Sequence, residues 1–223
     1  EADHILVSIP PENQEDLVIK NFSKFIESSK VKWITYLSAT SVYGDHKGEW
    51  VNENSKTNPI SNKGVARLKA ENTWISLEKN NKLPVQIFRL SGIYSNEKNI
   101  LVRLKLGDLK LVNKKDHYFS RIHVDDIVNI LFKSLLKFKS GEIYNLSDDK
   151  PASLEEITLF GAKILNIQNL KKININEIEN EMLKNFYKES KKVSNKKVKN
   201  YFNYNLKFPS YIVGLNYIKD NFM

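Results

Sequence analysis

The 223-residue sequence contains no cysteine, which excludes disulfide bridges, a thiolate nucleophile and any thiolate metal site. Arginine is scarce as well. Of 35 basic residues only Arg67, Arg89, Arg103 and Arg121 carry the guanidinium fork that base-reading and phosphate-clamping surfaces favour. The net charge of +9 therefore rests on lysines scattered among Asn and Ile, and a nucleic-acid partner is disfavoured. The densest basic run, Lys188 to Lys199, reads as a solvated helix face, with a polyanion-binding surface as the alternative. Only four histidines occur, and His123 lacks a second one at ligand spacing, so no metal site is expected. No apolar run approaches the roughly 18 residues of a membrane helix, and the amino end lacks a basic-then-apolar leader pattern. The expectation is a cytoplasmic chain without membrane contact. The eight glycines are dispersed and form no glycine-rich dinucleotide turn.

What is present is a foldable composition, 41% hydrophobic with 11 Phe, 10 Tyr and 3 Trp. A chain of this length buries roughly 70% of its unfolded surface in one core. His4 to Ile9 is a short apolar run closed by Pro10 and Pro11, and reads as a buried strand. Asn13 to Ser29 carries apolar residues at helical spacing, and Trp33 to Ser38 is a second β-rich run. The pattern repeats with a helix over Asn62 to Lys79 and a strand over Val85 to Leu90. Asn99 to Leu106 reads as helical, Leu109 to Ile122 as extended or hairpin structure, Asp125 to Lys137 as an amphipathic helix and Glu142 to Leu146 as a strand. Strands alternating with helices predict an α/β fold, a doubly wound and mostly parallel sheet with functional loops at the strands' carboxyl ends. Those ends fall near residues 8–11, 38–44, 91–96 and 147–150. From Ser153, a helix cap with Glu156 at the capping-box position, the pattern changes to a small helical lobe ending in a helix over Ser210 to Asn221. We divide the chain into residues 1–150, the sheet domain, and 151–223, the lobe packed on it.

Three strings carry polar chemistry at those ends. The first, Tyr36-Leu37-Ser38-Ala39-Thr40-Ser41-Val42-Tyr43-Gly44, runs a strand into hydroxyls that can donate to a carbonyl without bearing charge. The second, Arg89-Leu90-Ser91-Gly92-Ile93-Tyr94, ends a strand in small residues that permit close backbone approach. The third, Phe119-Ser120-Arg121-Ile122-His123-Val124-Asp125-Asp126, opens a helix whose aspartates suit its amino-end dipole better than they suit catalysis. Each string by itself is also explained as an ordinary turn or cap.

In this order, and together with Ala70-Glu71 one helix after the first, the strings resemble the landmarks of the extended and atypical short-chain dehydrogenase/reductase superfamily, in its NAD-dependent epimerase/dehydratase branch. Ser8 to Pro11 and Phe119 to His123 look most like its atypical bacterial members. The resemblance implies a Rossmann-like fold that binds NAD or NADP. Family members open with strands and a glycine-rich turn not found here, so the chain resembles them from about their fourth strand onward. It implies a cofactor side formed by Ser8, Pro10, Pro11, Arg67, Ser91, Gly92 and Ile93. The family's Tyr and Lys, four residues apart on one helix face, correspond to Lys63 and Arg67. Lysine has no phenol, and Arg67 either holds a ribose or phosphate or pairs with Glu71 at i,i+4. The family's Ser/Thr corresponds to Ala39, leaving Ser38 or Thr40 to polarise a carbonyl, while Tyr43, Tyr94 and His123 are the remaining proton carriers. Nucleotide-sugar members place Arg and Asn where Phe119 and Gly92 stand, and Arg121 is displaced from that pattern, so Tyr94, Arg121 and His123 stand as the substrate-side candidates. The expected activity is hydride chemistry on a carbonyl or sugar-type small molecule, the alternative a non-catalytic dinucleotide sensor that has lost the Tyr-Lys pair. A homodimer is compatible with either.

Overall fold

The computed structural model describes residues 2–107, 109–112, 114 and 116–223. In chain order the elements are β1 (His4–Val7), α1 (Leu17–Glu27), β2 (Trp33–Ala39), β3 (Trp50–Val51), α2 (Asn62–Asn81), β4 (Val85–Leu90), β5 (Gly92–Tyr94) and α3 (Ile100–Lys105). There follow β6 (Leu111–Val112), β7 (Arg121–His123), α4 (Val124–Leu136), β8 (Ile143–Leu146) and α5 (Leu154–Ile164). The chain closes with β9 (Lys172–Ile173), α6 (Glu181–Phe186), β10 (Lys192–Val193), α7 (Lys196–Phe202) and α8 (Tyr211–Phe222).

The main sheet has four parallel strands in the order β1-β2-β4-β8. All of them point their carboxyl ends the same way, as the alternation of strands and helices requires. β4 is buried along its whole length. One of its faces, with Val85 and Ile87, joins Ile34, Tyr36, Ala70 and Trp74 in the core beneath α1 and α2. The other, with Phe88 and Leu90, packs with Ile127 and Ile130 of α4 and with Val198 and Phe202 of α7.

Capping sets where helices begin. Asp16 Oδ1 accepts from the Val18 and Ile19 amides at 2.9 and 3.0 Å, while its Oδ2 accepts from the Trp74 indole at 2.9 Å, tying α1 to α2. Asn13 and Gln14, expected in this helix, have φ of 47° and 63°, a left-handed conformation no right-handed helix can include. Ser61, Ser153 and Ser210 cap α2, α5 and α8 in the same manner, Ser153 as its sequence position predicted and Ser210 standing just before the helix it was expected to begin. Of the extended or hairpin structure expected between residues 109 and 122, the extended form appears as β6 and β7, and no hairpin forms among the described residues. β6 pairs parallel with β9 and β7 parallel with β5; Asn113 and Lys115 lie outside the described residues. The basic run is not one solvated face either, because it breaks into β10 and α7. Within it Lys191 is buried, and Lys197 and Lys199 pair with Glu142 and Asp149 at 2.7 and 2.8 Å.

The segment after residue 150 is stitched to the rest by β10 on β3, β9 on β6 and α7 against β8. Among the described residues no helix is long and apolar enough to cross a membrane.

Candidate active site

Where β2 and β4 end, the chain turns away from the sheet. After Ala39, Thr40–Tyr43 form a single turn of 3₁₀ helix, followed by Gly44 at φ 70°. A side chain at Gly44 would meet the Asn58 carbonyl oxygen at 1.9 Å, so only glycine fits this left-handed turn. Gly64 lets the first turn of α2 approach the Ser41 carbonyl, where an added Cβ would stand 2.8 Å from the oxygen. These two glycines bring the hydroxyl-bearing turn and the start of α2 together over the end of the sheet.

The result is a cleft of about 710 Å³. The β2 end contributes Ala39, Thr40 and Ser41, α2 contributes Lys63 and Arg67, and the β4 end contributes Ser91 and Gly92. Tyr118 and Phe119 close one side, and Phe186, Glu189 and Lys191 reach over from the carboxyl-terminal segment. Arg67 is pinned: its Nη1 donates to the Leu37 carbonyl at 2.5 Å and to the Tyr36 hydroxyl at 3.4 Å. Burial pushes that Tyr36 phenol up to about 12, so it stays a neutral partner. Lys191 is anchored as well, donating to the Gly44 carbonyl at 2.8 Å and to Glu189 Oε2 at 2.7 Å. Beside it the Ser190 amide donates to Asp45 Oδ1 and the Val193 amide to Ser120 Oγ, both at 2.9 Å. The strap over the cleft is therefore held by charge-assisted bonds to the same turn that supplies Thr40. With Lys63, Arg67 and Lys191 against a single Glu189, the walls favour anionic groups.

Of the residues singled out in the sequence, the structure brings Thr40, Lys63, Arg67, Ser91 and Gly92 into this cleft and leaves the others outside its lining. Ser38 lies in β2 with its hydroxyl buried on the Tyr36 face and without a partner. The strand ends at Ala39, so strand alternation no longer constrains Thr40, which lines the cleft. Tyr43 is fully buried, donating to Asn145 Oδ1 at 2.8 Å and accepting from Arg89 Nη1 at 3.0 Å, and burial holds its phenol above the ordinary value. It supports the core rather than facing a substrate. Arg89 itself grips Glu71 through contacts of 2.7, 3.0 and 3.2 Å, so the sequence-neighbour pairing of Arg67 with Glu71 does not occur. His123 caps α4 through Nδ1, which accepts from the Asp125 amide at 3.2 Å, and burial lowers it below the ordinary histidine value. Its partner helix aspartate, Asp126, accepts from the Tyr204 hydroxyl and the Lys207 and Phe208 amides, a structural task.

Tyr94 and Arg121 line a smaller neighbouring cavity of about 300 Å³, together with Ile93. Burial raises the Tyr94 phenol and lowers the Arg121 guanidinium, while in the facing Asp148 burial raises the carboxyl. Ser8 and Pro10 are exposed and Pro11 half-buried beyond β1, on the open flank of the same sheet end. Sequence reasoning missed Tyr118, Glu189 and Lys191. Tyr118 immediately precedes the Phe119 string and was legible to that extent, whereas Lys191 was hidden in a run read as solvated.

Such a cleft, at the carboxyl ends of a parallel sheet with helices on both faces, defines a Rossmann-like α/β protein. The family model described as NAD dependent epimerase/dehydratase family matches residues 20–147, and the chain belongs to this family. A functionally unknown conserved protein from Silicibacter pomeroyi DSS is 32% identical, with 99% of this chain and 78% of that one aligned at a TM-score of 0.93. UDP-glucuronic acid 4-epimerase from Bacillus cereus, solved with NAD, aligns over 100% of this chain and 76% of its own at 19% identity and a TM-score of 0.78. RMD from Pseudomonas aeruginosa, solved with NADPH, aligns over 98% and 80% at 14% identity and a TM-score of 0.76. At these lower identities the likeness is one of fold. No match to a curated protein sequence is found.

Proposed function

We propose that this chain binds NAD or NADP along the carboxyl end of its sheet and supports hydride chemistry on a carbonyl or sugar-type small molecule in the cleft. The observation that carries the reading is the convergence of Thr40, Arg67, Ser91 and Gly92, from three separate elements, on one cationic cleft at the sheet's carboxyl end. Ser91 offers a buried hydroxyl without a partner at the wall, and Gly92 lets a ligand approach the backbone, which suits a nicotinamide amide and its ribose. Arg67, and Lys63 one turn before it, suit the adjoining ribose and phosphate oxygens. On this reading Ser8, Pro10 and Pro11 border the cofactor on the open flank, and Ile93 borders it beyond Gly92. Residues 1–150 then serve the cofactor and 151–223 the substrate, with a homodimer as the proposed assembly.

When bound, the nicotinamide supplies or accepts a hydride. The chain's residues do the rest. Thr40 donates a hydrogen bond to the substrate carbonyl oxygen, and Tyr118, the tyrosine lining the cleft, delivers the proton to that oxygen as it becomes a hydroxyl. Lys191 and Glu189 hold the strap in place over both.

A titration with NADH and NADPH, followed by energy transfer from Trp33, Trp50 and Trp74, tests cofactor binding; absence of saturation in a folded sample sinks the proposal. Tyr118→Phe then tests the chemistry. The expected loss in turnover is about 10²- to 10⁴-fold with NADH affinity unchanged.

A second reading, a dinucleotide sensor without turnover, is favoured by Lys63 and Arg67 standing where family members carry Tyr and Lys, and by the burial of Tyr43 and His123 away from the cleft. It predicts cofactor binding with no reduction of any carbonyl compound, and wild-type binding by Tyr118→Phe.

A further inference from the structure

The cleft does not end at Phe119. On the far side of that ring lies a second cavity of about 690 Å³ whose apolar walls are Phe119, Leu154, Ile173, Ile178, Leu183 and Phe186. Phe119 and Phe186 line both cavities, and their rings meet edge to face with centroids 4.6 Å apart. The ring of Phe119 is fixed from behind by the buried Arg121 guanidinium, 3.4 Å from its centroid. The two aromatic rings, in contact with each other, thus form a braced partition shared by cleft and chamber.

The chemistry of the chamber differs from that of the cleft. Ile178 is buried and the other five apolar residues are half-buried, so the walls are hydrocarbon. The charged groups lie at an exposed rim, where Arg103 and Lys110 are balanced by Glu177 and Glu179. A ligand carrying several negative charges gains no net attraction from such a rim. A sugar would set most of its hydroxyls against hydrocarbon, with Asn180, whose Oδ1 already accepts from the Leu183 amide, as the uncharged polar side chain of the lining, at the cost of burying unpaired polar groups. Space is ample, because chambers of about 300–1,000 Å³ hold whole small-molecule ligands.

We propose that this chamber receives an uncharged apolar arm, alkyl or aromatic, of a substrate that reaches across the Phe119–Phe186 partition from a reacting carbonyl held in the cleft. The inference rests on the cleft being the place where a carbonyl is held, and it names the substrate class for that site.

The test is ligand-observed NMR titration of the whole chain with 2-butanone, 2-hexanone and 2-octanone, and with UDP as the charged alternative. Affinity is expected to rise about three- to fourfold per added methylene, whereas UDP, which the cationic cleft can hold, is expected to bind equally well to wild type and to Leu183→Asp. Leu183→Asp is expected to abolish the length dependence. Ile173→Asn, on a different element, repeats the test should Leu183→Asp fail to fold. Flat affinity across the series, length dependence that survives in the folded variants, or UDP affinity that falls together with the ketones in those variants overturns the proposal. NADH binding by the same samples is read separately. If NADH binds and the ketone series is flat, the chamber assignment falls alone. If NADH does not bind while the length dependence and its loss in the variants hold, the cofactor reading falls and the chamber stands.

Discussion

The two edges of the main sheet are finished in opposite ways. At the β8 edge the backbone is occupied by side chains: the Asn145 amide donates to Glu53 Oε1 at 2.8 Å, and Lys197 Nζ donates to the Ile143 carbonyl at 2.7 Å. Over this edge α7 lays Phe202, whose ring stands 5.1 Å from that of Tyr144 and 6.3 Å from that of Phe88. At the β1 edge, strand pairing is on one side only, with β2. There Leu6 is 47% exposed, and Phe25 on the neighbouring helix is 72% exposed. On the opposite face of the sheet Phe132 and Leu136 of α4 also reach solvent. An edge strand with exposed apolar neighbours is a template for further pairing, whereas the β8 edge is closed to it. The difference teaches that this sheet has one direction in which it is complete and one in which it can still be extended.

Four changes probe that contrast, in falling order of expected effect. Removing the cover at the closed edge with Phe202→Ala should cost about 3–5 kcal/mol, measured by urea unfolding, because the cavity sits against Phe88 and Tyr144. Acid should loosen the covered regions next. Burial lowers both His117 and His123 below their ordinary value of 6.5, so the folded chain binds fewer protons than the unfolded one as pH falls through that value. Their contribution is intact above pH 6.5 and is lost below it, at most about 1.4 kcal/mol per pH unit for each histidine. Because burial raises the Asp148 carboxyl and so opposes this loss, the check is on the rings themselves: NMR titration of His117 and His123 with midpoints at or above 6.5 would contradict it. Third, Glu53→Ala strands the Asn145 amide and should cost about 1–3 kcal/mol, with faster exchange of that amide in hydrogen-exchange NMR. The smallest effect on stability belongs to the open edge. There Phe25→Lys should shift unfolding by no more than about 0.5 kcal/mol, yet reduce self-association in light scattering. A large loss of stability from Phe25→Lys, or none from Phe202→Ala, would erase the distinction between the edges.

Much of the fold was legible because it is written in local periodicity. β4 was bounded correctly, from Val85 to Leu90, because a stretch rich in β-branched and aromatic residues starts behind Pro84 and ends at Ser91-Gly92. The helices capped by Ser153 and Ser210 began where a hydroxyl precedes the amphipathic run. Errors arose where the backbone left ordinary conformations, as at Asn13 and Gln14, or where strands paired across long separations, as β6 does with β9. The candidate site was less legible. Thr40 and Ser38 are equivalent hydroxyls in the sequence, and only the end of the strand at Ala39 turns one into the cleft while the other stays in the core.

By itself, then, the sequence determined the alternation of strands and helices, most of the helix starts, the family's landmarks and the absence of cysteine thiols. These follow from neighbours within about one turn of helix or a few residues of strand, distances at which spacing alone fixes geometry. The tertiary structure decided that Glu71 pairs with Arg89 across the α2–β4 packing rather than with Arg67 on its own helix. It also decided that Tyr118 and Lys191 complete the cleft, and that Phe119 divides it from an apolar chamber. Those meetings depend on sheet order and on the strap at residues 189–193 folding back over the sheet, and the energy that fixes them is spread over contacts the chain makes only once its core has closed.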